Sequence, residues 1–192
     1  FIYEDSTIFI GEISAIVNEM LLNRYLYRNA NTNQEKIFYL SKKIENYFTS
    51  VFKQTIYTEF ENDLYKIRTN SELTSDVLCE RYCSIIKKYY GSNIVCDEIA
   101  NVEWTRLGHL YRWSYYPYKY AIGLLIASVI VDTLVDKKEL LVEDYIKFLS
   151  SGSSQYSLDL LKILNIDLIN TDIIEFGFNE MINDIDSLQK LM

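Results

Sequence analysis

One histidine, one proline, six glycines and three cysteines stand among 192 residues. Sandwiches and barrels turn often and use far more glycine and proline, so the low counts exclude them and point to an all-α fold. A single histidine leaves few metal schemes open, because imidazole is the commonest metal ligand. It also rules out an HExxH motif within this sequence. There is no glycine-rich phosphate loop, no GxSxG elbow and no catalytic Cys/His signature. The longest apolar stretch, Ala121 to Val135, is broken by Asp132. It falls short of the roughly 18 to 20 residues of a membrane span and reads as a buried core helix. Cationic surface is also scarce: 19 Lys and Arg against 27 Asp and Glu leave a net charge of −8. That balance argues against nucleic acid, whose phosphates need a basic surface. The odd set Cys79, Cys83 and Cys96 reads as reduced cytosolic thiols packed in the core. A CxxxC zinc half-site is conceivable, but no second pair completes it.

What is present is helix. Hydrophobic residues make up 49% of the chain, enough for a core, which excludes disorder as the main state. Ile8, Ile13, Ile16, Val17, Met20, Leu21 and Tyr25 recur at three- and four-residue steps, marking a first helix from Thr7 to Arg28. A polar break at Asn29–Asn33 precedes one long helical pattern from Gln34 to about Ile67. Thr74 is placed as an N-cap and Gly91 as a C-terminal stop for the next helix. Helical segments follow from about Asp97 to Val135, broken at Pro117. Val142–Leu149, Ser157–Leu164 and Thr171–Leu191, capped by Thr171, complete the pattern. Ser151-Gly152-Ser153-Ser154 is too short to separate domains, so residues 1–192 read as one all-helical unit.

Two stretches carry residues suited to chemistry. Glu12 and Glu19 lie seven apart, two turns along one face of the first helix, among apolar neighbours. A carboxylate there needs a cation, a metal or a shifted pKa, unless it simply rims the stripe and meets lysines or water. Trp104 to Gly123 holds the only histidine, His109, both tryptophans, and Tyr111, Tyr115, Tyr116, Tyr118 and Tyr120. Phenols and an imidazole around a kink can line a cleft and polarise a carbonyl oxygen. Aromatic core packing explains the same residues equally well.

Together these stretches resemble the C-terminal part of oligoendopeptidase F, in the thimet-oligopeptidase-like family of zinc metallopeptidases. Ile8 to Glu19 (IFIGEISAIVNE) is similar to the family's IFxAExAS..NE segment. Phe52 to Thr55 and Glu59 to Glu61 are similar to FRQT..AEFE, and Leu73-Thr74 to the LT that enters the next helix. Trp104 to His109 resembles WxRIxH, and Tyr116 to Gly123 (YPYKYAIG) resembles YVYKYATG. Tyr145 to Ser154 resembles Y..FL..GGS. The likeness runs over essentially the whole chain, in order.

The resemblance implies a zinc metalloendopeptidase acting on short peptides in the cytoplasm, with neither nucleic acid nor membrane as partner. Glu12 matches the family's third zinc ligand, and Glu19 an acidic residue that orients a ligand. His109, Tyr116 and Tyr120 match catalytic groups at the substrate and oxyanion, with Tyr115 and Tyr118 as substrate contacts. One extra residue between His109 and the YxYxYAxG segment lets a forward count pick Tyr115 in place of Tyr116. The chain departs from the family in lacking HExxH and begins at Phe1. It is therefore expected to be a fragment with an incomplete zinc site, inactive alone. The alternative is a non-catalytic helical module that binds peptides or a partner protein.

Overall fold

A computed structural model describes residues 7–70, 72–138, 140–169 and 172–192. Among the described residues there are helices and no strand. The α-helices are α1 Ile8–Arg28, α2 Asn33–Tyr47, α3 Lys53–Asn70, α4 Ser75–Tyr90, α5 Glu98–Asn101, α6 Gly108–Arg112, α7 Tyr118–Val131, α8 Val142–Ser150, α9 Ser157–Lys162 and α10 Asp172–Leu191. The Thr171 cap expected for α10 lies outside the described residues.

Local chemistry sets the helix starts. Thr7 accepts the Ile10 amide at the head of α1. Thr32 and Glu35 form a reciprocal capping box for α2, which the polar break in the sequence conceals. Thr74 accepts the Val77 amide at 3.4 Å, and Gly91 ends α4 with φ +95, a conformation that favours glycine. The long pattern from Gln34 to Ile67 is helical throughout, but a π-helical turn at Phe48–Phe52 separates α2 from α3.

The described residues pack as two compact units, one drawn from residues 1–51 and 122–192, the other from 52–121. In the first, Ile13, Val17, Ile126, Ala127 and Ile130 are fully buried. Tyr118–Asp136 is long and apolar enough to cross a membrane by length and composition. The burial of Leu124 to Ser128, Ile130 and Val131 accounts for that composition. Charges then tie the elements of this unit. Glu180 of α10 pairs with Lys43 of α2 at 2.8 Å and Arg24 of α1 at 3.3 Å, and accepts the Tyr47 hydroxyl at 2.9 Å. Lys43 also pairs with Asp184 at 2.8 Å, and Arg24 and Arg28 both meet Asp136.

The second unit packs Ile56, Tyr57 and Phe60 of α3 against Tyr82 and Ile85 of α4. Phe60 meets Tyr82 edge-on, ring centroids 5.2 Å apart, and lies 6.0 Å from Trp104. Here the cysteine expectation is corrected. Cys83 and Cys96 form a disulfide, with Cα atoms 6.0 Å apart, and Cys79 is the free thiol. The chain leaves α4 at Gly91 and turns back, so Cys96 reaches Cys83 across a thirteen-residue separation that helix periodicity does not show.

Beside this core, Glu103 accepts the Tyr82 hydroxyl at 3.0 Å and pairs with Lys53 at 2.8 Å. Burial works to raise its pKa, but Lys53 and Tyr82 outweigh burial and hold the carboxyl below its ordinary value. A depressed folded-state pKa gives stability above the unfolded value, about 4.3, that is lost as pH falls through the folded one. Glu103→Gln should therefore flatten the fall in urea midpoint between neutral pH and pH 3. An unchanged slope would show that the Glu103 pairings contribute nothing.

Candidate active site

The residues that could act on a substrate divide between the two units. Glu12 and Glu19 lie on α1, in the first. Glu12 is half-buried, whereas Glu19 is exposed. Glu19 borders a cavity of about 490 Å³ whose lining also includes Arg24, Arg28, Lys43 and Asp184. Burial pushes the Asp184 carboxyl up, with Lys43 drawing it back. Among the described residues, no three His, Cys, Asp or Glu side chains gather in a way that could hold a metal ion.

His109, Tyr116 and Tyr120 belong to the second unit and come together there. The imidazole of His109 stacks face to face on Tyr116, with ring centroids 4.5 Å apart and planes 2° from parallel. Tyr120 lies 6.0 Å from His109 and 5.4 Å from Tyr116. Trp113 stands 6.2 Å from His109 and 5.8 Å from Tyr116. Lys119 Nζ sits 5.0 Å from the Tyr116 ring centre. The geometry separates the two tyrosines between which the residue count wavers. Tyr115 stacks on Tyr65 of α3 at 5.3 Å, while Tyr116 covers His109. Tyr118 is exposed at the start of α7.

A turn makes this division. Tyr115 has φ 54, the left-handed region, which costs an L-residue about 1 to 2 kcal/mol. Three contacts hold the turn: Tyr115 N–H donates to Glu61 Oε1 at 2.7 Å, Tyr65 stacks on the Tyr115 ring, and the Tyr65 hydroxyl hydrogen-bonds Ser114 Oγ at 2.9 Å. Glu61 is 2% exposed. Burial pushes its carboxyl up, while the Tyr115 amide and the charge of His109 draw it back. Its other oxygen, Oε2, is buried without a hydrogen-bond partner among the described residues. An unanswered buried acceptor costs about 1 to 3 kcal/mol. No role for Glu61 is read from the sequence, yet a signal is there. Positions 56, 57, 60 and 61 form one buried helical stripe, and Glu61 is its only charge.

A sequence profile of peptidase family M3 matches residues 1–180. The chain belongs to peptidase family M3. Among its curated relatives, oligopeptidase PepF of Bacillus subtilis is 32% identical over 191 residues, 99% of this chain and 28% of that protein. The oligoendopeptidase F homolog of Borreliella burgdorferi is 34% identical over 193 residues, all of this chain and 32% of that protein. The chain thus spans about a third of the length of the curated relatives it matches. The crystal structure of oligoendopeptidase-F from Enterococcus faecium superposes with a TM-score of 0.85 at 27% identity, over 96% of this chain and 36% of that one. A putative peptidase from Chlamydophila abortus gives 0.86 at 28% identity, over 98% of this chain and 32% of that one.

Parallel stacking at 4.5 Å makes a direct prediction about this aromatic cluster. A double-mutant cycle of His109→Ala with Tyr116→Ala should give a coupling of about 0.5 to 1.5 kcal/mol in urea unfolding, the range of aromatic pairs. The cycle of His109→Ala with Tyr115→Ala should give a value near zero. The reverse order would mean that Tyr115, not Tyr116, covers the imidazole.

Proposed function

We propose that this chain is the C-terminal part of the catalytic domain of a zinc metalloendopeptidase that hydrolyses short peptides. The observation that carries the reading is the His109–Tyr116–Tyr120 cluster in a chain of family M3. Two phenols and an imidazole are donors suited to a peptide carbonyl, whose oxygen gains negative charge as the carbon becomes tetrahedral. Tyr116, held flat on His109, and Tyr120, at the start of α7, donate to that oxygen in this reading. Tyr115 and Tyr118 contact substrate on either side.

The metal is the separate half of the proposal. Glu12, a half-buried residue, offers one carboxylate ligand, and a catalytic zinc takes three protein ligands. The described residues therefore do not make a complete zinc site, and Glu12 holds zinc only with two further ligands beyond them. Zinc, when so held, supplies a Lewis acid and an activated water. Glu19 serves to orient the ligand helix in this reading.

The coding sequence ahead of Phe1 is the first test. An HExxH within about a helix and a loop supports the peptidase, whereas a start codon near Phe1 supports the peptide-binding module. In the complete product, Glu12→Gln should reduce zinc content. Tyr120→Phe should lower turnover by about 10- to 1000-fold, the scale of one lost oxyanion donor, with zinc unchanged. Wild-type turnover in Tyr120→Phe would remove that phenol from the mechanism.

A further inference from the structure

Glu61 places a carboxyl on the core stripe of α3, where burial disfavours its charged form. A charge retained at such a place needs a reason in what it holds. One oxygen accepts the amide of Tyr115, the residue whose left-handed backbone turns the chain. The next residue is Tyr116, and the turn delivers its ring flat onto His109. The remaining oxygen has no hydrogen-bond partner among the described residues, and the charge of His109 acts on this carboxyl. Strain held against its own cost clusters at functional sites, and here the strained residue immediately precedes a candidate oxyanion donor.

We propose that Glu61 is a positioning residue: by holding the Tyr115 amide it fixes the 113–117 turn and keeps the Tyr116 phenol registered on the His109 imidazole. The inference rests on the peptidase reading for its catalytic consequence alone; the placement itself is a property of the second unit. The carboxylate touches neither substrate nor metal in this scheme. It acts through the turn, by accepting the hydrogen bond of the strained Tyr115 amide.

The test exploits the single histidine, whose ring protons give one resolvable set of NMR signals. In the wild-type chain, stacking on Tyr116 should shift those signals upfield, and the Tyr115 amide should exchange slowly with solvent. Glu61→Leu should speed that exchange by about ten- to a hundredfold, the factor carried by one hydrogen bond to a charged group. It should also move the His109 signals towards those of a free imidazole. The amides of Ile56 and Phe60 should keep their protection, which separates loss of position from loss of the core. Glu61→Gln, which still offers an oxygen, should restore most of both signals. Should Glu61→Leu fail to fold, Glu61→Asp, one methylene shorter, should give the same displacement. Wild-type Tyr115 exchange and wild-type His109 shifts in a folded Leu or Asp variant would overturn the proposal. In the complete enzyme, Glu61→Leu should lower kcat by about ten- to a hundredfold, the cost of a misplaced group, with KM little changed and Gln rescuing most of the loss. A wild-type enzyme that cleaves no peptide sinks the peptidase reading and leaves the NMR result to stand alone.

Discussion

A carboxylate taken out of water must be answered by donors, and the second unit is arranged around two such answers. Glu103 collects the Tyr82 hydroxyl and the Lys53 ammonium, so the chain after α5 is fastened to α3 and α4. Glu61 collects the Tyr115 amide, so the irregular chain after α6 is fastened to α3 about two turns further along, eight residues after Lys53. The first anchor is well satisfied and its pKa is held down. The second is half satisfied and its pKa is pushed up. The difference is physical: a carboxylate with an ammonium beside it is a structural tie, while one that lacks a cation at hydrogen-bond range is held in a less favourable state. The aromatic cluster of His109, Trp113, Tyr116 and Tyr120 hangs from that second anchor.

The first unit solves the same problem with charge in numbers. Glu180 and Asp184 on α10 face Arg24 and Lys43 from α1 and α2, and Tyr47 donates its hydroxyl to Glu180. Burial raises the Tyr47 phenol far above its ordinary pKa, with Glu180 adding to the shift, so it remains a hydrogen-bond donor throughout the physiological range. The net stability of such a network is smaller than its contacts suggest, because each charge must first be dehydrated.

Much of this was legible in the residues. The scarcity of glycine and proline implied helices. Thr7, Thr74 and Gly91 mark helix ends because capping is local chemistry. The π-turn at Phe48–Phe52 was not legible, since one extra residue per turn barely disturbs an apolar stripe. Nor was the Cys83–Cys96 disulfide, which depends on where a loop returns. The family likeness brought out His109, Tyr116 and Tyr120 in advance, and the structure brings those three rings together. It could not separate Tyr115 from Tyr116, because the direction of a side chain beyond an inserted residue is set by the backbone turn. Glu61 stood in plain sight on a stripe otherwise apolar, and its significance lies in a partner 54 positions away.

The proposed function turns on Tyr116, and not its neighbour, facing the reacting carbonyl beside His109. The direct measurement is the turnover of the complete gene product as Tyr116→Phe and as Tyr115→Phe, each removing one hydroxyl and keeping the ring. Loss of about 10- to 1000-fold in Tyr116→Phe, with Tyr115→Phe close to wild type, is the expected result for an oxyanion donor. Full turnover in Tyr116→Phe, or the larger loss in Tyr115→Phe, would contradict it.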